Sequence, residues 1–80
     1  MEIIKKYGDF CDDTIKMGIC CIAEDGEVFF AIPGMEFNGN NQVEIYEECI
    51  RRINNFYKIK VISLNTFIKD RTGYIRIVAK

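Results

Sequence analysis

The sequence contains no histidine and no tryptophan, and it has a single proline. Without histidine it lacks the commonest general base, the commonest metal ligand and every Ser-His or Cys-His pair. Neither a phosphate-binding P-loop motif nor a dinucleotide-binding glycine motif occurs. The adjacent acids Asp12 and Asp13 are explained more simply as cap or solvated loop residues than as catalytic groups. We therefore predict a protein that is not an enzyme, with no catalytic residues, no cofactor and no metal site.

Long apolar runs are also missing, since none approaches the ~20 residues that a membrane-spanning helix needs. Residues 1–6 have neither the apolar core nor the small-residue cleavage site of a signal peptide. We therefore expect no membrane association and a cytoplasmic location, where thiols stay reduced. A chain of 80 residues is long enough for one small domain with a thin core. We predict that residues 1–80 form a single domain.

Positive charge is scarce in the first part of the chain. Residues 1–50 contain three lysines and eleven acids, whereas residues 51–80 contain eight lysines and arginines and one acid, Asp70. Such asymmetry between halves can indicate a basic binding surface. It also arises when the two halves interleave in one sheet, so that charges neutralise each other across strands. The second explanation is the simpler one.

Hydrophobic periodicity predicts the secondary structure. Apolar residues at helical spacing favour a short helix within residues 1–13. Period-two alternation predicts a β-hairpin over residues 15–32, and helical spacing predicts a helix over residues 42–57. Two further strands are predicted, at residues 59–68 and 74–78. The predicted fold is α+β, a small antiparallel sheet of two β-hairpins joined by one central helix (ββαββ).

The first hairpin contains two adjacent cysteines, Cys20 and Cys21, in the stretch GICCIAEDGEVFF. Its turn is Asp25-Gly26, a strong signal for a two-residue type I′ turn. This turn predicts the following pairs: Glu24 with Glu27, Ala23 with Val28, Ile22 with Phe29, Cys21 with Phe30, Cys20 with Ala31, and Ile19 with Ile32. Consecutive strand residues point to opposite faces, so the two cysteines cannot share one metal ion. A ligand set of Cys11, Cys21 and Cys49 is the remaining cysteine hypothesis.

Both faces of this predicted hairpin are apolar. One face is the natural seat for the central helix and carries Ile19, Cys21, Ala23, Val28, Phe30 and Ile32. The opposite face is the predicted protein interface and carries Cys20, Ile22, Phe29 and Ala31. Monomers seldom expose large contiguous apolar patches, so something must cover this second face. The candidates are the N-terminal helix with Ile3, Tyr7 and Phe10, a second subunit, or a different protein.

The central helix has clear boundary signals. Asn41 is a favourable N-cap residue, and Glu44 three positions later completes a pattern resembling a capping box. The apolar face that we predict to pack against the sheet consists of Val43, Tyr46, Cys49, Ile50, Ile53 and Phe56. Cys49 on that face is expected to behave as a small hydrophobic residue.

Cations and aromatic side chains alternate in the last third of the chain. Such a mixture suits phosphate contact together with base stacking. The candidate nucleic-acid contacts are Arg51, Arg52, Lys58, Lys60, Lys69, Arg71, Arg76 and Tyr74. Solvated helix and strand faces explain these residues more simply, because no nucleic-acid-binding signature accompanies them.

We interpret the chain as a small non-enzymatic protein-binding module, an inhibitor or adaptor of a larger complex. The missing catalytic residues and the two apolar hairpin faces lead to this interpretation. A homodimer formed through the apolar sheet face is expected with it. Small Ile-, Lys- and Asn-rich chains without motifs are typical of phages and other mobile elements, which favours an anti-defence (anti-CRISPR-type) inhibitor. The alternative is a nucleic-acid or nucleotide binder that uses the basic C-terminal third.

Overall fold

The structure is a computed structural model that describes residues 1–35 and 38–80. Its elements are β1 (Glu2–Lys6), α1 (Tyr7–Lys16), β2 (Cys20–Glu24), β3 (Glu27–Ala31), α2 (Gln42–Tyr57), β4 (Val61–Lys69) and β5 (Thr72–Ala79). All strand pairs are antiparallel, in a three-stranded sheet of order β1-β5-β4 and a two-stranded sheet of β2 and β3. The predicted α+β class, with two hairpins joined by a helix, is confirmed. The hairpins lie in separate sheets, and β1 adds a strand that the periodicity did not predict.

The turn of the first hairpin has the predicted geometry. Asp25 and Gly26 both have positive φ, 52° and 80°, as a type I′ turn requires. The ladder from Glu24–Glu27 to Cys20–Ala31 has the predicted register. In the turn of the second hairpin, Asp70 and Arg71 have positive φ values. Gly73 lies beyond this turn and is paired with Ile68 within the β4–β5 ladder.

The prediction that residues 15–19 begin the first strand is wrong, because α1 continues to Lys16. The helix ends in a Schellman motif, in which Gly18 has φ 77°. The Gly18 N–H donates to the carbonyl of Ile15, and the Ile19 N–H donates to that of Thr14. The alternation through Ile15 therefore does not reflect a strand, and Ile15 is 70% exposed on the helix surface.

Both sheets and both helices contribute residues to the core. Its buried members are Phe10, Ile19, Phe30, Ile32, Ile45, Cys49, Ile53, Ile75 and Ile77. Ile75 and Ile77 come from β5, which has a neighbouring strand on each side. Thr14 is also buried, and its hydroxyl donates to the carbonyl of Cys11, so the polar group is satisfied inside its own helix.

The predicted packing face of α2 is rotated relative to the observed one. The row that faces the core is Ile45, Cys49 and Ile53, spaced by four residues. Val43 is 68% exposed and Tyr46 is 49% exposed, although both were predicted to be core residues. A helix with apolar residues on more than one side allows two orientations, and the contact with the sheets selects between them.

The start of α2 also differs from its prediction. Asn41 occupies the N-cap position, but its side chain makes no capping hydrogen bond to the helix. Its Oδ1 atom instead accepts a hydrogen bond of 2.9 Å from the backbone N–H of Asn38. The capping box with Glu44 is therefore not formed, because the Asn41 side chain stabilises the preceding loop.

Two polar clusters join the helices to distant parts of the chain. Asp13 of α1 accepts hydrogen bonds from the Lys5 ammonium and from the Tyr57 hydroxyl, the latter at 2.7 Å. Arg52 of α2 donates to the carbonyls of Met17 and Gly18 at the C-terminus of α1. A cation at this end of a helix is favourable because the helix dipole is negative there.

The Asp13 cluster predicts a loss of stability in acid. Hydrogen bonds from Lys5 and then Tyr57 hold the pKa of Asp13 below its ordinary value of 3.8. A depressed folded-state pKa contributes stability that is present above about pH 4 and is lost as pH falls through the folded pKa. We expect Asp13→Asn to flatten the acid limb of stability measured by urea unfolding between about pH 2 and pH 6.

The control is Asp12→Asn, which removes the neighbouring, exposed carboxylate of the same helix. This variant is expected to keep the acid limb of the original protein. Equal acid limbs in the Asp13→Asn variant and the original protein would contradict the assignment.

Candidate functional site

The second face of the β2–β3 hairpin is open to solvent. We call Cys20, Ile22, Phe29 and Ala31 the apolar hairpin face. Ile22 is 56% exposed and Phe29 is 49% exposed, Cys20 is exposed, and Ala31 is half-buried. The side chains of the other face, including Phe30 and the half-buried Cys21 and Val28, pack on the core. The N-terminal helix therefore does not cover the apolar hairpin face.

A groove of about 320 Å³ continues this surface onto α2. We call it the β3–α2 groove, and its lining residues are Val28, Phe29, Phe30, Gln42, Val43 and Tyr46. Phe29 belongs to both surfaces, and the rings of Phe30 and Tyr46 lie 6.1 Å apart at its floor. The helical residues of this groove were missed because sequence periodicity assigned Val43 and Tyr46 to the core.

Tyr7 holds the edge of β2 in place. Its hydroxyl donates to the carbonyl of Cys21 and accepts from the backbone N–H of Ala23, each at 3.0 Å. A neighbouring strand would form the same two contacts, so the phenol closes this edge of the small sheet. Burial and then the contact with Cys11 raise the pKa of Tyr7, so the hydroxyl keeps its proton. No sequence signal distinguished Tyr7 from an ordinary apolar helix residue.

We predict that Tyr7→Phe lowers the free energy of unfolding by about 1–3 kcal/mol, since two hydrogen bonds to part-buried backbone groups are lost. Faster hydrogen exchange at the Ala23 amide should accompany this loss. The matched control is Tyr74→Phe, which keeps the ring that stacks on Phe67 at 5.4 Å and should change stability by less than about 0.5 kcal/mol. Equal effects of the two variants in urea unfolding would contradict this role of Tyr7.

Two of the four cysteines, Cys21 and Cys49, have thiols whose pKa is raised. The Cys21 thiol lies beside Cys11 and the Tyr7 phenol, and burial followed by the proximity of Cys11 raises its pKa to about 12. Burial also raises the pKa of Cys49. Both thiols are therefore protonated at neutral pH, which is the unreactive form. Within residues 1–35 and 38–80, no group of three or more acidic, cysteine or histidine side chains is arranged to hold a metal ion.

A larger cleft of about 460 Å³ lies between the hairpin turn and the β4–β5 end of the other sheet. Its lining residues are Tyr7, Ala23, Glu24, Asp25, Gly26, Thr66, Phe67, Ile68, Gly73 and Tyr74. The Tyr7 hydroxyl, already bonded to β2, keeps its proton near neutral pH. The carboxylates of Glu24 and Asp25 lie on the exposed turn. The cleft thus offers an apolar wall with an acidic margin.

Three of the predicted nucleic-acid contacts participate in ion pairs. Arg51 and Arg52 both pair with Glu48 of the same helix. Arg76 on β5 pairs with Glu2 on β1 at 2.6 Å, which neutralises charge across two strands from opposite ends of the chain. Arg52 is also used in the contact with the end of α1. These arginines already have partners within the fold.

The other predicted contacts lie at opposite ends of β4. Lys58 is the left-handed C-cap of α2, and Lys60 precedes β4. Lys69 and Arg71 lie at the far end, after a nine-residue strand that spans roughly 30 Å. Tyr74 stacks on Phe67. The candidates therefore do not form one compact cluster, and their contact with nucleic acid stays a prediction.

Comparison of the chain with models of known protein families, with curated proteins and with solved structures finds no match. Of the helices formed by the described residues, neither has the length and apolar character required to cross a bilayer. Function therefore has to be argued from the surface itself.

The two faces of the hairpin should respond differently to substitution. Phe30→Ala removes a buried ring and is expected to lower stability by about 3–5 kcal/mol. The pair Ile22→Ser and Phe29→Ser removes half-exposed side chains that pair across the strands, so a loss of less than about 1 kcal/mol is expected. Thermal and urea unfolding measure both. A large loss from the serine pair would show that the apolar hairpin face serves the fold.

Proposed function

We propose that this chain is a non-enzymatic protein-binding module that acts as an inhibitor or adaptor of a larger protein. The binding surface is the apolar hairpin face together with the β3–α2 groove. The observation that carries the proposal is the exposure of Ile22 and Phe29, each about half accessible, beside the exposed Val43 and Tyr46. Contiguous apolar surface of this kind is characteristic of interaction sites.

An interface of standard size would use a modest part of the molecular surface. A standard protein–protein interface takes roughly 800 Å² from each partner, about one seventh of the accessible surface of 5542 Å². Half-exposed aromatic and branched side chains supply part of this area, and the rest has to come from the groove and its rim. Aromatic residues at the centre of such a surface commonly contribute most of the binding energy.

The charge pattern favours a different protein over a second copy of this chain. Residues 17–50 contain seven acids and no lysine or arginine. Of the described acids, Glu24, Asp25, Glu27, Glu44 and Glu47 have no cation within ion-pair distance. A homodimer through this surface would bring the same carboxylates together, whereas a basic partner would neutralise them.

The test compares two double variants. Ile22→Ser with Phe29→Ser removes the proposed surface, while Ile4→Ser with Phe56→Ser removes side chains of the same types, 52% and 43% exposed, from other parts of the molecule. A partner is first captured from the native host with the immobilised original protein and identified by mass spectrometry. Its affinity for each purified variant is then measured. We expect at least a ten-fold loss for the first pair, as for truncated hot-spot residues, and little change for the second.

Equal affinity of the two double variants would contradict the proposed surface. Sedimentation of the purified protein tests the alternative occupant. A dimer that only Ile22→Ser with Phe29→Ser dissociates would show that a second copy binds there. Failure to capture any partner, with a monomer in solution, would argue against the function.

A further inference from the structure

The hydrogen-bonding pattern of the hairpin reveals which backbone groups of β3 point away from β2. In an antiparallel ladder, hydrogen-bonded and non-hydrogen-bonded pairs alternate. Tyr7 contacts the carbonyl of Cys21 and the N–H of Ala23 from outside the ladder, so these residues belong to non-hydrogen-bonded pairs. Their partners are Phe30 and Val28. The N–H and C=O groups of Val28 and Phe30 therefore point outward from the other edge, away from β2.

The two edges of this small sheet are treated differently. Tyr7 occupies the β2 edge, as described above. Along the β3 edge, β3 pairs only with β2, and in residues 1–35 and 38–80 no hydrogen bond to the outward backbone groups of Val28 or Phe30 occurs. Native proteins usually cover or block such an edge, because it is a template for another strand.

The β3 edge borders the β3–α2 groove, and β3 also contacts β4 of the other sheet. Val28, Phe29 and Phe30 form one wall of the β3–α2 groove, and Gln42, Val43 and Tyr46 of α2 form the other. A strand edge facing a helix across an apolar groove is the arrangement in which an extended peptide can add as a strand. Main-chain hydrogen bonds then provide affinity, while alternate side chains enter the groove or face solvent.

Charge indicates the chemistry of the occupant. Both walls of the groove belong to residues 17–50, which contain acids and no cations, and the neighbouring Arg51, beyond Tyr46, is paired with Glu48. Glu24 and Glu27 lie at one end of the hairpin, while Glu44 and Glu47 flank Val43 and Tyr46 on α2. These carboxylates attract lysine and arginine, and they repel an acidic segment or the same region of a second copy.

We propose that an extended segment of the partner protein, with apolar residues at alternate positions and lysine or arginine flanking them, adds as a strand to the β3 edge. Its backbone bonds to Val28 and Phe30, and its apolar side chains enter the β3–α2 groove beside Val43 and Tyr46. This inference rests on the proposed protein-binding function and specifies its mode and its ligand. The five residues of β3 match a peptide segment roughly 17 Å long.

The first experiment selects ligands from a displayed library of random peptides of about seven residues, enough to span β3. Selections are run against the original protein and against Val28→Pro. Proline removes the outward N–H of Val28 and leaves the ladder to β2 intact, because Val28 lies in a non-hydrogen-bonded pair. We expect enrichment of alternating apolar peptides with lysine or arginine, and only with the original protein. No enrichment beyond that of the proline variant, or an acidic or helix-forming consensus, would overturn the proposal.

The second experiment leaves the protein unaltered, so it does not depend on the folding of Val28→Pro. The best peptide is synthesised with N-methyl groups on one alternating set of amides, and then on the other set. One set faces β3 and the other faces solvent. We expect one methylated peptide to bind at least about ten-fold more weakly, since backbone hydrogen bonds are lost, and the other to bind nearly unchanged. Equal affinities of the two methylated peptides would overturn strand addition.

The role of charge has its own control. Glu24→Gln with Glu27→Gln removes the carboxylates that flank the hairpin turn, next to Val28 of the groove, and Asp9→Asn with Asp12→Asn removes two exposed carboxylates from α1. We expect the first pair to weaken the peptide several-fold at about 50 mM salt and the difference to shrink at about 500 mM, as screening requires. Equal effects of the two double variants on peptide affinity would contradict the proposal that the ligand is basic.

Failure of this inference can be told apart from failure of the proposed function. One possible partner binds Val28→Pro as tightly as the original protein but does not bind the Ile22→Ser, Phe29→Ser double variant. This result would leave the protein-binding function in place and exclude strand addition. If the partner binds Val28→Pro and the Ile22→Ser, Phe29→Ser double variant as tightly as the original protein, the proposed surface is wrong.

Discussion

The register of the β2–β3 hairpin is the constraint on which the surface of this protein depends. The Asp25-Gly26 turn pairs Glu24 with Glu27, and every later pair follows from it. Because strand side chains alternate, burying Phe30 in the core turns Phe29 outward. Because ladder hydrogen bonds alternate too, the same register decides which backbone groups face the groove. A shift of the register by one residue would exchange the buried and exposed side chains, and also the inward and outward backbone groups.

The charged side chains divide into two groups with different roles. Arg52 and Arg76 connect parts of the chain that are distant in sequence, and Lys5 joins Tyr57 in binding Asp13 of α1. The carboxylates of Glu24, Asp25, Glu27, Glu44 and Glu47 have no cation within ion-pair distance among the described residues. In the folded molecule, therefore, three arginines and Lys5 are paired within the fold, while acids without ion-pair partners lie on the hairpin and at the start of α2.

Local signals predicted the parts of the fold that depend on local geometry. The Asp25-Gly26 turn, the hairpin register and the extent of α2 all follow from short stretches and were confirmed. Where one pattern admitted two structures, prediction failed: residues 15–19 alternate like a strand, yet Gly18 ends a helix. The apolar hairpin face was predicted because it needs only the register. The contribution of Val43 and Tyr46 to the β3–α2 groove was not predicted, because α2 has apolar residues on more than one side.

The sequence by itself determined a small α+β chain, an Asp25-Gly26 hairpin with two apolar faces, and adjacent cysteines that separate onto those faces. These properties follow from turn chemistry and from the two-residue period of a strand. Only the tertiary structure decided which face is buried, how α2 is rotated, and that the Tyr7 phenol closes one hairpin edge and leaves the other beside a groove. Those outcomes depend on contacts between residues far apart in the chain, for which local patterns carry no information.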